Sequence, residues 1–343
     1  MKLGIAGLAG AGKSTVFAAL TRTEMDPGLR AEDRIGTVSV PDERIDALSA
    51  MYRPRKTIYA QVEYLLPGIG GAKAEGREPA VWTPLRDCDA LIHVIRNFRQ
   101  FGVEDASPAA DFTAFDQELI LADLVVVEKR LERLEAERQR GRKFDAEEHA
   151  LLSSCREVLE REEPLRRSPE IALAHTLKGF AFLSAKPLLA LFNNEDDDDA
   201  LPSIDAVTGT EVCMVLRGKL EQELSLMPDQ EALEFMEEFD ISASATDRVI
   251  RKSYAVLGRV SFFTVGDDEV RAWTVPEGTE AVEAAGVIHT DMKKGFIRAE
   301  IVSYDDLMEA GTYAEARKRG TVRLEGKTYL IQDGDIATFR FNV

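Results

Sequence analysis

A glycine-rich run near the amino terminus holds the residues best suited to chemistry. It reads Gly7-Leu8-Ala9-Gly10-Ala11-Gly12-Lys13-Ser14 and matches the pattern G-x-x-x-x-G-K-[ST] in full. Glycines let backbone N–H groups approach an anion, and a helix that begins there adds its positive end. The run predicts a loop that cradles phosphates, with Lys13 reaching them and Ser14 ligating Mg²⁺. The residues expected to contact phosphate are Gly7, Ala9, Gly10, Ala11, Gly12, Lys13, Ser14 and Thr15.

The segments on either side of this run are the ones that such a loop requires. Residues 2–6 form a short apolar stretch that predicts a buried strand, and residues 14–20 predict the start of a helix. The alternative is a chance glycine-rich turn. The flanking strand and helix argue against a chance turn, because the motif is specific only in that setting.

Further apolar runs predict a sheet behind the loop. Residues 90–95, 187–192 and 212–216 are short, apolar and separated by helical stretches, which is typical of a parallel sheet covered by helices. Residues 57–66 alternate and predict another strand.

A long helical segment interrupts this alternation of strands and helices. Leucines and valines recur at helical spacing between residues 119 and 134, and a second amphipathic stretch follows Gly141. We predict an antiparallel helical hairpin over residues 112–165. Its tip carries the basic residues Arg138, Arg140, Arg142 and Lys143. These are candidate nucleic-acid contacts, and a merely solvated charged tip is the alternative.

From residue 261 onward, short strand candidates alternate with turns and one helical segment. The sequence therefore divides into an α/β domain over 1–260, interrupted by the hairpin, and a small α+β domain over 261–343.

Composition excludes several classes of protein. The 343 residues carry a formal net charge of −18, so an attraction of the whole surface to nucleic acid or to an anionic membrane is not expected. The three cysteines are widely spaced and predict neither a disulfide framework nor a zinc site. No apolar run is long enough to span a membrane, and the apolar stretch after Lys2 is too short for a signal peptide. We expect a cytoplasmic protein.

Several stretches resemble the YchF-type P-loop nucleoside triphosphatases, relatives of the Obg GTPases. The matching stretches are MKLGIAGLAGAGKSTVFAALT, VPDERIDALSAMYRPRK, LILADLVVVEKRLERL, KPLLALFNNEDD and VIHTDMKKGFIRAEIVSYDDL followed by RLEGKTYLIQDGDIATFRFNV. The resemblance implies a GTPase-like domain with a mostly parallel sheet, an inserted helical hairpin and a C-terminal TGS domain of β-grasp type. It also implies nucleotide hydrolysis in the cytosol and association with ribosomes.

The sequence departs from this family at three catalytic positions. Leu66 stands where the family has the aspartate of D-x-x-G, and leucine cannot accept a hydrogen bond from a metal-bound water. The switch threonine aligns with Arg30, although Thr37 is close. The loop over residues 99–106 lacks the family's histidine, and His93 lies within a predicted strand as a structural, hydrogen-bonded residue. We therefore predict slow hydrolysis, since metal positioning and water orientation are both weakened.

The base-reading element is also altered. GTPases use N-K-x-D after a strand, whereas the family uses N-x-x-E, which relaxes guanine selection. Here Asn193 and Asp196 occupy the first and fourth places and Asn194 replaces the lysine. We predict base contacts from Asn193 and Asp196, with ATP accepted at least as well as GTP. A strand-end asparagine followed by a solvated acidic loop is the alternative.

Three functions remain open from the sequence. The first is a slow, Mg²⁺-dependent triphosphatase that acts as a switch associated with the ribosome and translation. It would bind ATP or GTP and a ribosome or RNA, but neither membrane nor DNA. The second is a degenerate nucleotide-sensing protein with negligible hydrolysis. The third is a small-molecule phosphotransferase, for which no convincing acid, base or lid is found.

Overall fold

The computed structural model describes residues 1–24, 31–68, 81–102, 104–142, 144–238 and 245–342. The strands are β1 (Lys2–Ala6), β2 (Arg34–Ser39), β3 (Lys56–Ile58), β4 (Gln61–Leu66), β5 (Ala90–Asn97), β6 (Leu188–Asn194), β7 (Val212–Leu216), β8 (Arg259–Thr264), β9 (Glu269–Pro276), β10 (Phe296–Ser303), β11 (Arg323–Glu325) and β12 (Asp335–Phe341).

The described helices other than the 3₁₀ helices Leu165–Arg167 and His175–Phe180 are α-helices. They are α1 (Lys13–Thr21), α2 (Glu43–Tyr52), α3 (Trp82–Arg86), α4 (Pro108–Gln139), α5 (Ala146–Glu160), α6 (Pro169–Ala172), α7 (Asp205–Thr208), α8 (Gly218–Leu226), α9 (Asp229–Glu238), α10 (Ala245–Val256), α11 (Ala281–Ile288), α12 (Thr290–Lys294), α13 (Tyr304–Ala310) and α14 (Tyr313–Arg319). None of the described helices is both long and apolar enough to cross a bilayer.

The chain folds into two compact units. The first contains Met1–Val38 and Glu63–Val249, and the second contains Ser39–Val62 and Ile250–Val343. The division drawn from sequence assigned Ser39–Val62 and residues 250–260 to the first domain. The structure groups them with the C-terminal residues, because α2 and β3 pack into the second unit.

The first unit is an α/β fold built on a mostly parallel sheet in the order β2-β4-β1-β5-β6-β7. β1 lies between β4 and β5 and pairs in parallel with both, and β5, β6 and β7 continue in parallel. The central strands β1, β4, β5 and β6 are rich in apolar residues and are largely buried, as parallel strands covered on both faces require. This arrangement confirms the predicted α/β class.

The predicted hairpin is present as α4 and α5. A core of leucines and valines holds the two helices together, including Val127, Leu131, Leu134, Leu152 and Val158. Two buried carboxylates in the first half of α4 attach this helix to the rest of the unit. Asp123 accepts backbone hydrogen bonds from Leu183 (3.0 Å) and Ser184 (2.7 Å), and Asp116 accepts two from the Arg166 guanidinium (2.8 and 2.9 Å).

The second unit is a mixed sheet in the order β11-β10-β12-β8-β9-β3. Antiparallel pairs join β11, β10 and β12 and also β8 and β9, whereas β12–β8 and β3–β9 are parallel. One face packs on α11 through a core that includes Phe262, Val275, Ala284, Ile301 and Phe339.

Residues 57–66 do not form the single strand that their alternation predicts. The stretch divides into β3, which joins the second sheet, and β4, which joins the first. Alternation indicates that a segment is extended, but it carries no information about which sheet will receive it.

Candidate functional site

The phosphate-loop residues lie between β1 and α1, as the sequence predicted. The loop turns through left-handed backbone at Gly7 (φ 139°), Gly10 (φ 80°) and Gly12 (φ 89°). A side chain at Gly7 would collide with the Val94 carbonyl, because its Cβ would lie 2.4 Å from that oxygen. Glycine is therefore required there both by conformation and by space.

Lys13 begins α1 and bends back over the loop. Its Nζ donates to the carbonyl oxygens of Gly7 (2.8 Å) and Leu8 (2.7 Å). Burial lowers the pKa of Lys13, and the nearby Glu118 carboxylate partly offsets that effect. A bound anion would favour the charged ammonium in the same way as Glu118 does.

The remaining predicted phosphate contacts surround this lysine. Ala9, Gly10 and Ser14 are exposed, whereas Ala11 is buried and Thr15 is half-buried. Ser14 lies in the first turn of α1, where its hydroxyl is open to solvent. The described residues contain no cluster of three or more His, Cys, Asp or Glu side chains that could hold a metal ion. The exposed Ser14 hydroxyl is an oxygen donor, the kind of ligand that Mg²⁺ prefers.

Asn193, near the end of β6, contacts this loop. Its Nδ2 donates to the Ala11 carbonyl (3.1 Å) and its Oδ1 accepts from the Gly218 N–H (3.0 Å) at the start of α8. A Cβ at Gly12 would lie 2.2 Å from Asn193 Nδ2, and one at Gly218 would lie 2.5 Å from its Oδ1. Two glycines thus make room for one amide, which fixes the loop to α8.

Asp196, the other predicted base contact, lies nearby on the surface. Its Oδ1 accepts from the Leu220 N–H (3.2 Å), and Lys219 lies 3.7 Å from its other oxygen. The neighbouring Glu195 accepts from the Arg99 N–H (2.5 Å). Asn193 and Asp196 therefore both contact the first turn of α8, and base contact by either remains a prediction.

Sequence reasoning gave no role to Phe98, which the structure places beside the loop. A methyl group at Gly12 would lie 3.7 Å from Phe98 Cε1. The ring follows directly after β5, where the carboxyl ends of parallel strands meet and where open α/β sheets bind ligands. The sequence could have indicated this position, because Phe98 directly follows a strand that is predicted to be buried.

The structure describes most of the residues at the three positions where the sequence departs from the family pattern. Leu66 ends β4 and is buried, and Thr37 is exposed on β2. Arg30 lies outside the described residues. His93 is buried within β5, but neither ring nitrogen has a partner among the described residues, so the expected hydrogen bond is absent. The ring instead packs on Phe112 and Phe115.

The basic tip of the hairpin is only partly described. Arg138, Arg140 and Arg142 are exposed, and Lys143 lies outside the described residues. The Arg138 guanidinium lies 5.2 Å from the centre of the Phe144 ring. No ion pair joins these three arginines to any of the residues that the structure describes.

Comparison with known proteins gives consistent matches. The family model YchF-GTPase_C, described as a protein of unknown function (DUF933), matches residues 260–342. The chain is 38% identical to the Ribosome-binding ATPase YchF of Bacillus subtilis, with 99% of each chain covered. It is 36% identical to the protein of the same name from Haemophilus ducreyi, covering 100% of this chain and 99% of that one.

A solved structure matches as well. The Schizosaccharomyces pombe YchF GTPase superposes with a TM-score of 0.83 at 28% identity, over 99% of this chain and 97% of that one. The sequence matches and the fold match both extend over the whole length. The chain therefore belongs to the YchF family.

Proposed function

We propose that this protein binds a purine nucleoside triphosphate with Mg²⁺ and acts as a slow nucleoside triphosphatase that associates with the ribosome in the cytoplasm. The observation that carries the nucleotide part is the loop itself. Three left-handed glycines, the half-buried Lys13 and the first turn of α1 form a cradle for phosphates. Ser14 would hold the magnesium ion, which neutralises phosphate charge when bound.

The test of nucleotide binding is a titration of the protein with Mg²⁺-ATP and Mg²⁺-GTP. Lys13→Ala removes a charge-assisted contact to phosphate and should weaken binding by about 1.5–3 kcal/mol. The matched control is Lys129→Ala, which removes the same charge from an exposed position on α4. Equal nucleotide affinity in the two variants would refute the proposed site.

We expect ATP to bind at least as well as GTP. The lysine of N-K-x-D is absent, and Asn193 and Asp196 are both engaged with the first turn of α8. The names of the relatives include both activities, since two are called ATPases and one a GTPase. A guanine preference of about a hundredfold, equal to about 2.7 kcal/mol, would contradict this expectation.

A binding protein with negligible turnover is the second candidate, and the buried Leu66 favours it. Phosphate release by purified protein, measured against Lys13→Ala, separates the two candidates. Release above the variant's background supports the triphosphatase. A basal rate above about 1 per second would contradict slow hydrolysis, since well-equipped small GTPases are far slower alone.

Ribosome association is supported by the names of the relatives and by the exposed arginines of the hairpin tip. The measurement is co-sedimentation with ribosomes, with and without nucleotide. Replacing the four tip residues Arg138, Arg140, Arg142 and Lys143 with alanine should weaken binding. It should also make the log–log salt dependence shallower by about 0.7–0.9 for each lost phosphate contact. Unchanged ribosome binding with an unchanged salt dependence would show that the hairpin tip does not contact the ribosome.

A further inference from the structure

The helix α8 is attached at two points to parts of the first unit that are distant in sequence. At its start, the Gly218 N–H donates to Oδ1 of Asn193 (3.0 Å), and Nδ2 of the same side chain donates to the Ala11 carbonyl in the glycine-rich loop between β1 and α1 (3.1 Å). Three residues later, Glu221 reaches the start of α10. Gly218 and Glu221 both lie on the buried face of α8. One short helix therefore joins the loop to α10.

The contact between the loop and α8 is tightly packed. A Cβ at Gly12 would lie 2.2 Å from Asn193 Nδ2, and a Cβ at Gly218 would lie 2.5 Å from its Oδ1. The helix α8 also packs against α1, which begins at Lys13. A displacement of the loop at Gly12 must therefore push the Asn193 amide, and the amide cannot shift without moving α8 or losing its hydrogen bond to that helix.

The contact between α8 and α10 is equally specific. Glu221 is 2% exposed, and its carboxylate accepts from the N–H groups of Ala245 (2.8 Å) and Thr246 (3.1 Å) and from the Thr246 hydroxyl (2.8 Å). The first N–H groups of a helix have no acceptor within the helix, and a buried N–H group without an acceptor is costly. A shift of α8 that withdraws Glu221 should therefore open the first turn of α10.

We infer that α8 couples the conformation of the glycine-rich loop to the start of α10, so that a nucleotide bound at the loop regulates this helix. The two states of α10 are a closed first turn, with Glu221 in place, and an open first turn, with Glu221 withdrawn. The helix continues to Val256 and passes Ile250, where the chain enters the second unit. The nucleotide part of this inference rests on the proposed function, whereas the link from the loop to α10 does not.

The test compares two alanine substitutions in the loop by hydrogen–deuterium exchange of the full-length protein without nucleotide. Gly12→Ala places a methyl group against Asn193. Gly10→Ala is the matched control, because its backbone is also left-handed (φ 80° against 89°) but its Cβ would meet no described atom within 4 Å outside its chain neighbours. We expect Gly12→Ala to accelerate exchange of the Ala245 and Thr246 amides by at least about fivefold, the lower end of the usual range for coupled sites. Gly10→Ala should leave their exchange unchanged.

Two further measurements separate this coupling from a general loss of stability. The amides of α5 serve as an internal reference, since global unfolding would accelerate their exchange as well. Glu221→Gln keeps the size of the side chain but removes one of its two acceptor oxygens, and it should accelerate exchange at Ala245 and Thr246. Glu223→Ala changes an exposed residue of the same helix and should not.

Equal exchange at the start of α10 in the Gly12→Ala and Gly10→Ala proteins would overturn the inference. If exchange in α5 also accelerates in Gly12→Ala, that variant is unfolding globally, and Asn193→Ala takes its place because it breaks the contact without adding volume. Acceleration confined to α10 in Asn193→Ala is then the expected result, and unchanged exchange there overturns the inference.

A titration of the wild type with Mg²⁺-ATP, followed by the same exchange measurement, separates this inference from the proposed function. We expect saturating nucleotide to change exchange at Ala245 and Thr246. If calorimetry detects binding and their exchange stays the same, regulation of α10 by nucleotide is wrong and the proposed nucleotide binding stands. If no nucleotide binds but Gly12→Ala opens α10, the link through α8 stands and the proposed nucleotide binding fails.

Discussion

The side-chain amide of Asn193 is oriented by two backbone groups that are far apart in the chain. Its partners belong to Ala11, in the phosphate loop, and Gly218, at the start of α8. Any change in the loop that moves the Ala11 carbonyl must therefore move or break this amide contact. Asn193 therefore links the conformation of the loop to the position of α8.

At Leu66 we predict a gain of hydrolysis from an acidic substitution. Leu66→Asp places a carboxylate at the position where the resemblance noted in the sequence implies the aspartate of D-x-x-G, and a carboxylate there could hold the water shell of Mg²⁺. We therefore expect faster phosphate release from Mg²⁺-ATP. Leu66→Asn serves as the control, because asparagine has nearly the same size as aspartate but carries no charge. An unchanged or lower rate in the aspartate variant would show that Leu66 is not the cause of slow hydrolysis.

His93 predicts a dependence of stability on pH. Burial, together with the positive charges of Arg166 and Lys13, lowers its pKa to about 3. In the unfolded chain the pKa is about 6.5. Below pH 6.5 the unfolded chain binds a proton that the folded protein does not. The free energy of unfolding therefore falls as the pH decreases, by up to about 1.4 kcal/mol per pH unit until the pH nears 3.

The variant His93→Phe should lose this component, because it keeps a ring against Phe112 and Phe115 without a titratable group. The measurement is urea unfolding of both proteins at pH 7.5, 6 and 5. The wild type should lose stability relative to the variant as the pH falls. A parallel pH dependence in the two proteins would show that folding does not lower the pKa of His93.

At the scale of elements, the start of α10 is held by a side chain from another helix. Glu221 lies on α8 and is buried, and its carboxylate accepts from the backbone N–H groups of Ala245 (2.8 Å) and Thr246 (3.1 Å) and from the Thr246 hydroxyl (2.8 Å). These N–H groups begin α10, where helices leave donors without internal partners. Glu221 therefore fixes the start of α10 from the same helix that contacts Asn193.

Removal of this carboxylate should be costly. Glu221→Ala leaves two buried N–H groups and a hydroxyl without their acceptor, and we expect a loss of about 2–4 kcal/mol in the free energy of unfolding. Glu223→Ala removes an exposed glutamate from the same helix and should change stability by less than about 0.5 kcal/mol. Chemical denaturation of both variants provides the measurement, and similar losses would argue against the buried role of Glu221.

At the scale of the whole molecule, the second unit depends on residues that are distant in sequence. Ile45 and Leu48 of α2 are fully buried, and Arg44 donates to Asp333 (2.7 Å) and covers the Phe263 ring. β3 adds a strand to the sheet edge beside β9. The C-terminal residues by themselves would leave this apolar surface exposed.

We therefore predict that residues 250–343 produced alone do not unfold cooperatively. Joining residues 39–62 to them through a flexible linker should restore a cooperative thermal transition, because the buried side chains of α2 and the strand β3 return. The same fusion carrying Ile45→Ser and Leu48→Ser is the control and should not recover. Cooperative melting of the isolated C-terminal fragment would refute this dependence.

Local patterns were enough to predict the glycine-rich turn between β1 and α1, the buried parallel strands and the helical hairpin. Each of these depends on neighbouring residues, such as the glycines before Lys13 or the leucines repeated along α4. Contacts between residues that are remote in the sequence could not be predicted from such local patterns. The pairing of Asn193 with Ala11, the position of Phe98 beside Gly12 and the division of residues 57–66 between two sheets all depend on tertiary packing.

The two-part composition of the second unit has a consequence for synthesis of the protein. Ser39–Val62 leaves the ribosome first, and the rest of its unit begins only at Ile250. At typical elongation speeds the early segment waits roughly 10–40 s before its packing partners exist. During that interval Ile45 and Leu48 have no partners in their own unit, so a nascent chain arrested before residue 250 should expose α2 to chaperones and proteases that cannot reach it in the finished protein.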